Sequence, residues 1–410
     1  MSKANGEQKM WEKEPRVRVD RLTDDAINNK YDRKSERIVT ETNREKLQNF
    51  YEALSRPGYM DIRPTYQRRS RWDNERQSKL IESLLINIPI PPLFVYENKP
   101  NYYEVMDGQQ RISAIKAFYS NELVLKGLDR WPELNGRTYS KLPERIKSGI
   151  DRRSITWIAV LHESADTEEE ALVLKQLVFE RLNTGGVALS PQEIRNSLYQ
   201  GPFNDLLFLL GRNNLFRAPW NIAPFTENEI KQTPDELLDN RFYLQMEDLE
   251  LILRFFALRH VEHYQRGMQG FLDLYMLRAR MFDERDISFL KRLFEGTINL
   301  ASSIYKDNLF ITFNSRLDSW GTRPQKAYAD AVLVALSDFV NIRDNSANES
   351  FTLDGQILID NSASIISATI KMFTEDTDGV LSGRGNTKKD VESRIVLLSN
   401  LYRNVLHKAK

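Results

Sequence analysis

The stretch YYEVMDGQQRISAIKAF, residues 102–118, decides how the first half of the chain is organised. Its first six residues alternate in the way that favours a strand, and ISAIKAF has the apolar spacing of a helix. Between them lie four polar residues and Gly108, which permits a positive φ or the close approach of a ligand to the backbone. A strand, a tight turn and a helix in succession direct a helix N-terminus towards an anion.

The side chains of this turn have two interpretations. In the functional one, Arg111 offers a forked donor set for phosphate, Gln109 and Gln110 orient a sugar, a base edge or a water, and Asp107 binds a metal or a sugar hydroxyl. In the structural one, Asp107 caps the helix, Gly108 makes the turn and Arg111 is a surface cation. The residues alone favour the structural interpretation, because short glycine turns between strands and helices are common.

A second polar segment, RPTYQRRSRW, precedes the turn in the sequence. Interleaved arginines and aromatic residues suit contact with the nucleic-acid backbone combined with base stacking. A solvated basic loop is the alternative, since runs of charge usually face water. The residues concerned are Arg63, Tyr66, Gln67, Arg68, Arg69, Arg71 and Trp72.

The third segment is FERLNTGG, residues 179–186. Asn183 and Thr184, followed by two glycines, are typical of a helix end and a turn. The same residues also form a polar loop that a ligand can approach closely. In isolation, the structural interpretation is favoured.

Composition limits the classes of protein to consider. A chain of 410 residues exceeds the usual size of one hydrophobic core, so two domains are expected. Lys+Arg and Asp+Glu are equal at 58 each, so a nucleic acid would have to meet a local basic surface. The absence of cysteine excludes disulfides and thiol nucleophiles, and the absence of a signal peptide or membrane-spanning segment predicts a cytoplasmic protein.

The fold class predicted is α+β. We expect a flexible charged arm over residues 1–35, a small mixed-sheet domain over residues 36–200, and an all-α domain over residues 201–410, where nearly all patterns are helical. In the middle domain, ERIVTE, LFVYE, YYEVMD, ELVL and RSITWIAVLHES predict strands. SPQEIRNSLY predicts a helix with a capping box made by Ser190 and Glu193.

Four stretches, in this order, resemble the N-terminal domain of the GmrSD type IV restriction enzymes: PTYQRRSRW, LIESLLINIPIPPLFVYE, YEVMDGQQRISAIKAF and FERLNTGGVALSPQEIRNSLY. The resemblance covers about residues 40–200 and implies a ParB/sulfiredoxin-like fold. MEDLELILRFFAL, in the helical half, is similar to stand-alone members of the family.

The resemblance implies a nucleotide site on DGQQR, with a nucleoside triphosphate as ligand or substrate and Mg²⁺ as a candidate cofactor. In characterised relatives, this motif supports triphosphate hydrolysis that is coupled to DNA sensing in phage defence. The catalytic residues implied are Asp107, Gln109, Gln110 and Arg111, and the nucleotide-binding residues are Gly108, Arg111, Asn183 and Thr184.

The resemblance also implies DNA as a partner. Relatives that sense phosphorothioate-modified DNA use a Tyr-Gln-Arg element, which corresponds here to Tyr66, Gln67 and Arg68. Because Thr65 and RSRW depart from the family pattern, the DNA-contacting position carries over but the modification that is recognised does not. The nucleic-acid-binding residues implied are Tyr66, Gln67, Arg68, Arg69, Arg71 and Trp72.

Full restriction enzymes of this family add an HNH-type nuclease domain, which needs several histidines around a metal. This chain has four histidines and no HNH pattern. His260 and His263 lie three residues apart on a predicted helix, so a metal pair is conceivable, but ordinary surface histidines are favoured. The metal site is therefore left unknown.

Three functions remain open. The first is a nucleoside triphosphatase gated by DNA, including modified phage DNA, within an anti-phage system. The second is a non-catalytic nucleotide- and DNA-binding module that recruits a partner nuclease or methyltransferase. The third, and weakest, is a ParB-like nuclease. The sequence leaves open whether the protein is a homo-oligomer.

Overall fold

The computed structural model describes residues 3–12, 38–62, 72–165, 168–182, 190–230, 234–341, 352–375, 379–381 and 385–409. The chain divides into two compact units, an N-terminal unit of residues 17–189 and a helical unit of residues 1–16 and 190–410. The predicted α+β class is confirmed, because a five-stranded sheet in the N-terminal unit is followed by a mostly helical region.

The elements in chain order are α1 Asn5–Lys9, β1 Thr40–Lys46, α2 Leu47–Leu54, β2 Met60–Asp61, α3 Asn74–Leu85, β3 Leu93–Lys99, β4 Tyr102–Asp107, α4 Gln109–Tyr119, α5 Glu144–Asp151, β5 Ser154–Val160, α6 Glu168–Leu182, α7 Pro191–Leu198, α8 Pro202–Leu210, α9 Asn214–Arg217, α10 Asp235–Leu238, α11 Arg241–Leu244, α12 Glu247–Leu258, α13 Gly267–Ala279, α14 Glu284–Tyr305, β6 Ile311–Asn314, β7 Ser319–Pro324, α15 Lys326–Leu336, α16 Leu353–Asp360, α17 Ser362–Glu375 and α18 Lys388–Ala409.

The sheet of the N-terminal unit is mixed, with strand order β1-β5-β3-β4-β2. The β3 and β4 strands form an antiparallel hairpin in which Val95 faces Val105. The β5 strand runs parallel to β3 and antiparallel to β1, and the short β2 runs parallel to β4. At the carboxyl end of β4, where the DGQQR motif begins, Asp107 pairs with Phe94 of β3, whereas β2 pairs with Tyr103 and Glu104 nearer the start of the strand.

The core of this unit lies against one face of the sheet. Side chains that alternate along β3, β4 and β5 point to that face, and the apolar sides of α2, α3 and α4 pack against them. Representative core residues are Phe50, Ile81, Val105, Phe118 and Trp157. On the other face, α6 lies against β4. The apolar face predicted from the sequence thus packs α4 against the core, and the N-terminus of α4 lies at the carboxyl end of β4.

Two predicted strand assignments differ from the structure. The β1 strand begins at Thr40, near the end of the predicted strand ERIVTE, and continues to Lys46, because its residues pair with β5 along that length. The segment ELVL is not a strand. Leu123 and Leu125 are buried in irregular backbone, where the N–H of Leu125 donates to the carbonyl of Arg137.

The helical unit is built around α12 and α15, in which nearly every residue from Asp248 to Leu258 and from Tyr328 to Leu336 is buried. Helices that are buried on all sides occupy the centre of a domain, and the buried Arg254 of α12 is paired there with Asp330 of α15. A β-hairpin of β6 and β7 interrupts the helices and was not predicted. Within the described ranges, no helix combines the length and the apolar composition needed to cross a membrane.

The predicted domain boundaries stay a prediction. The structure divides the chain between residues 189 and 190, and it groups residues 1–16 with the helical unit. Asn5–Lys9 form a helix within the segment that the sequence assigns to a charged arm. The rest of that arm, from residue 13, lies outside the described residues up to residue 37.

Candidate functional site

Gly108 forms the corner between β4 and α4. It is the N-cap of α4 and has a φ of 96°, in the left-handed region that favours glycine. A Cβ at this position would overlap the Cδ2 of Leu93, which is fully buried. Glycine is therefore required here for two reasons, its backbone conformation and the lack of space.

Arg111 is held in place by both neighbours of the corner. Its Nη2 donates to Oδ2 of Asp107 at 2.8 Å, and its Nη1 donates to the carbonyl of Pro91, at the end of the PIPP segment. The Arg111 side chain is only 11% exposed, whereas that of Asp107 is 44% exposed. Burial lowers the pKa of Arg111 and the adjacent carboxylate opposes that shift, so the guanidinium stays charged.

This geometry corrects the structural interpretation of the turn. Asp107 does not cap α4, because the N-cap is Gly108 and no side chain caps the helix. Arg111 is not a surface cation but the inner member of an ion pair. The motif thus places a half-exposed carboxylate, a guanidinium and a helix N-terminus side by side, which is a set of groups suited to a metal ion and a phosphate.

Gln110 connects the turn to the end of the arginine-rich segment. Its Oε1 accepts a hydrogen bond from the backbone N–H of Trp72 at 3.2 Å. On the other side, the carbonyl of Trp72 accepts from Nε2 of Gln77, in α3, at 2.9 Å. The indole of Trp72 is half-buried and packs against the core. The chain leaving the arginine-rich segment is therefore fixed beside DGQQR.

Of the other predicted site residues, Gln109 is the first residue of α4, and the rest are outside the described part of the chain. These are Tyr66, Gln67, Arg68, Arg69 and Arg71 of the arginine-rich segment, and Asn183 and Thr184 after α6. Their proposed contacts with DNA and nucleotide stay predictions.

A buried ion pair that the sequence analysis did not identify fixes α6 to the sheet. Nζ of Lys175 lies 2.7 Å from Oε2 of Glu104 and 2.7 Å from Oδ1 of Asn98, and it lies over the ring of Tyr96. Glu104 stands three residues before Asp107 in β4, and α6 leads directly into the FERLNTGG segment. The pair therefore joins the elements that carry two of the three motifs. A carboxylate in the middle of a mostly apolar strand was the sequence feature that could have indicated a buried partner for Glu104.

A second buried carboxylate lies on β3. Oε2 of Glu97 is 3.0 Å from Nδ1 of His162, and Oε1 accepts from the N–H of Asn101. Burial acts to raise the pKa of Glu97, but these hydrogen bonds outweigh it, and the pKa is lowered. Glu97 is consequently ionised near neutral pH and fastens the end of the β3–β4 hairpin.

The histidine interpretation needs a correction. His260 is not a surface histidine but is fully buried, and its ring contacts Glu7 and Trp11 rather than a metal ligand set. Residues 261–263 form a short 3-10 turn after α12 instead of continuing the predicted helix. Among the described residues, no group of three or more His, Cys, Asp or Glu side chains is arranged to hold a metal ion.

Comparison with protein families matches residues 50–200 to the model described as the GmrSD restriction endonuclease N-terminal domain. No curated protein and no solved structure matches the chain. The matched residues include the whole of the corner from Asp107 to Arg111 and both members of the Lys175–Glu104 pair. Residues 50–200 therefore belong to the N-terminal domain family of the GmrSD restriction endonucleases, which relates the protein to restriction and anti-phage defence.

Proposed function

We propose that the protein senses DNA and binds and hydrolyses a nucleoside triphosphate within a prokaryotic anti-phage system of the type IV restriction kind. The observation that carries this proposal is the corner of the family-matched domain, where Gly108 sets Asp107 and Arg111 together at the N-terminus of α4. Restriction enzymes act on DNA, so the family match supports DNA as the partner. The side chains at the corner support a nucleoside triphosphate as the ligand.

The residues at the corner fit a triphosphate with Mg²⁺. Asp107 is exposed enough to reach a ligand and offers the oxygen that Mg²⁺ prefers, so it would hold the cation. Arg111 would hold a phosphate, since its guanidinium is already fixed by the Pro91 carbonyl on its other side. The bound cation would supply charge neutralisation for phosphoryl transfer. Asp107 and Arg111 neutralise each other until the ligand arrives.

DNA control of the site has a structural route in the described residues. A DNA strand bound by the arginine-rich segment would pull on its end at Trp72, whose N–H is bonded to Gln110 in the motif. Displacement of that backbone would change the position of the Gln110 side chain relative to Arg111, the next residue of α4. Gln109 and Gln110 are the residues proposed to orient the attacking water.

One observation favours a second candidate, nucleotide binding without hydrolysis. Both terminal nitrogens of Arg111 are engaged, one by Asp107 and one by Pro91. If the Asp107 carboxylate keeps its hold on the guanidinium, neither group is available for the transferring phosphate, and the protein would act as a binding module for a partner nuclease or methyltransferase.

Phosphate release from each of the four common nucleoside triphosphates, with Mg²⁺ and with or without duplex DNA, tests the proposal. We expect turnover that DNA stimulates, and loss of turnover in Arg111→Ala and Asp107→Asn. Arg145→Ala removes an exposed arginine from α5 of the same unit and is the matched control. Turnover in none of the nucleotides, with Arg111→Ala equal to the unmodified protein, would refute it.

Two further measurements separate the candidates. Isothermal titration that shows nucleotide binding in the absence of any hydrolysis selects the binding module. DNA affinity should fall steeply with salt if arginines 68, 69 and 71 neutralise backbone phosphates. An affinity that is independent of salt would remove the arginine-rich segment from the proposal.

A further inference from the structure

The N-terminal helix α1 is docked on the helical unit although it is only five residues long. Helices of this length are not stable on their own in water. Its environment explains its presence, because Ala4 and Met10 are buried and the carboxylate of Glu7 is fully buried. The partners of these residues lie some 250 positions later in the sequence.

Glu7 occupies a closed carboxylate site. Its Oε1 accepts from Nη1 of Arg259 at 2.7 Å, from Nε2 of His260 at 3.0 Å and from the hydroxyl of Tyr275 at 3.2 Å. Its Oε2 accepts from the backbone N–H of Ala4 at 2.9 Å. The side chains of Glu7, Arg259 and His260 have no exposed area. A buried carboxylate with this many donors is matched to its site, and removing it would take their shared acceptor from three buried side chains.

Trp11 occupies a second site, one helical turn further along. Its indole N–H donates to Nδ1 of His260 at 3.0 Å. The ring of Trp11 stacks on that of His263, with centroids 4.4 Å apart and planes inclined by 5°. The guanidinium of Arg278 lies 4.6 Å from the centre of the Trp11 ring. Arg278 also donates to the carbonyl of Met10 at 2.8 Å. His260 is therefore the neutral tautomer that accepts from Trp11 and donates to Glu7.

Gly6 adds a steric requirement. Its N–H donates to Oδ1 of Asp286, the third residue of α14, at 2.9 Å, and a Cβ on Gly6 would overlap the same carboxylate. The segment is thus recognised at three positions by three different means, which are lack of a side chain at Gly6, charge at Glu7 and an aromatic ring at Trp11. Such a combination is characteristic of a specific peptide site rather than of a chain end that lies on a surface.

We propose that the helical unit carries a peptide-binding site for a Gly-Glu-x-x-x-Trp segment, and that its ligand is the chain's own N-terminus, residues 3–12, bound in cis. The segment binds as a discrete unit and exchanges with an added copy of itself. In sequence, the chain passes from this segment into the N-terminal unit of residues 17–189 and re-enters the helical unit at residue 190.

The test uses the full chain with a specific protease site inserted after residue 16, cleaved once the protein has folded. A fluorescent peptide of residues 1–16 is then added, and its anisotropy is measured. We expect saturable binding of one peptide per chain. Peptides with Glu7→Gln or Trp11→Ala should bind about ten-fold or more weakly, because the first change removes the charge beside Arg259 and the second removes the hydrogen bond to His260 and the stacking on His263. Lys9→Ala, at an exposed position, is the matched control and should bind normally.

Changes in the peptide leave the folding of the protein unaffected, so weak binding cannot be attributed to misfolding. Absence of exchange in the cleaved unmodified chain would overturn the proposal. The same cleavage of a Glu7→Gln chain should release its segment on gel filtration, and retention equal to that of the unmodified chain would also overturn the proposal. Equal affinity of the Glu7→Gln and unmodified peptides would do so as well. A full-length dimer that the free peptide dissociates would show exchange between two copies and overturn binding in cis.

Discussion

Substitution of Gly108 by alanine tests whether the corner is as tightly constrained as the structure indicates. Alanine at a φ of 96° costs about 1–2 kcal/mol in backbone conformation. The overlap of its Cβ with Leu93 adds about 1–3 kcal/mol, the usual range for overpacking a well-filled core. We therefore expect Gly108→Ala to lower the free energy of unfolding by about 2–5 kcal/mol, a large part of the stability of a typical domain.

Two other glycines of the same unit provide matched controls. Gly58 has a φ of 75° but no atom within 4 Å of a Cβ, so Gly58→Ala should cost only about 1–2 kcal/mol, the conformational part. Gly149 lies inside α5 with neither constraint, so Gly149→Ala should stabilise the protein by about 0.5–1 kcal/mol. The three substitutions separate the conformational cost from the steric cost.

Urea unfolding followed by circular dichroism gives the free energies, and hydrogen exchange of peptides from residues 102–119 reports the corner itself. Shortening Leu93 to alanine removes the atom that the new Cβ would overlap, so the double variant Gly108→Ala/Leu93→Ala should be less destabilised than the sum of the single variants. The reasoning fails if Gly108→Ala costs no more than Gly58→Ala, or if the two changes are additive.

Three more outcomes are expected. Lys175→Met removes the cation that is paired with the buried Glu104, so the free energy of unfolding in urea should fall by about 3–5 kcal/mol. Adding Glu104→Gln should recover part of this loss. A loss below about 1 kcal/mol would contradict the structural role of the pair. Gln110→Ala should speed amide exchange at the end of the arginine-rich segment by the equivalent of about 1 kcal/mol, whereas Gln110→Glu keeps the acceptor and should not. Burial lowers the pKa of His260 from its ordinary value of 6.5. Burial acts to raise the pKa of Glu7, but the ion pair with Arg259 and the hydrogen bond from His260 outweigh it, so the pKa of Glu7 is also lowered. Below about pH 6.5 the unfolded chain therefore binds more protons than the folded one, and urea unfolding between pH 7.5 and 5 should show stability falling as the pH falls; a flat profile would contradict the buried arrangement.

The sequence predicted those features that depend on neighbouring residues. The capping box of α7 has both of its hydrogen bonds, from the N–H of Glu193 to Ser190 and from the N–H of Ser190 to Glu193, because its members are only three residues apart. The strand, turn and helix around Gly108 were predictable for the same reason. The alternation of a strand precedes Gly108 and the apolar spacing of a helix follows it, so the sequence predicts a single corner at this glycine.

What the sequence did not reveal depends on partners that are distant along the chain. The local sequence around His260 suggests a surface histidine. Its burial could not be predicted, because its partner Glu7 is 253 residues away in the chain. Lys175 and Glu104 are 71 residues apart, and nothing in either local pattern points to the other. Leu123 and Leu125 have the alternation of a strand, but their N–H groups donate to the carbonyls of Ala117 and Arg137 rather than to a neighbouring strand.

Substitutions in the DGQQR motif differ in whether they would first affect the fold or the chemistry of the site. Gly108 is needed for the fold and Gln110 for the link to Trp72, so substitutions at either change structure before they change chemistry. Asp107 is different, because 44% of its side chain is exposed and its one ion pair lies at the edge of the core. An asparagine there keeps an oxygen for Arg111 and removes the charge. The contribution of the motif to function can therefore be separated from its contribution to the fold most clearly at Asp107.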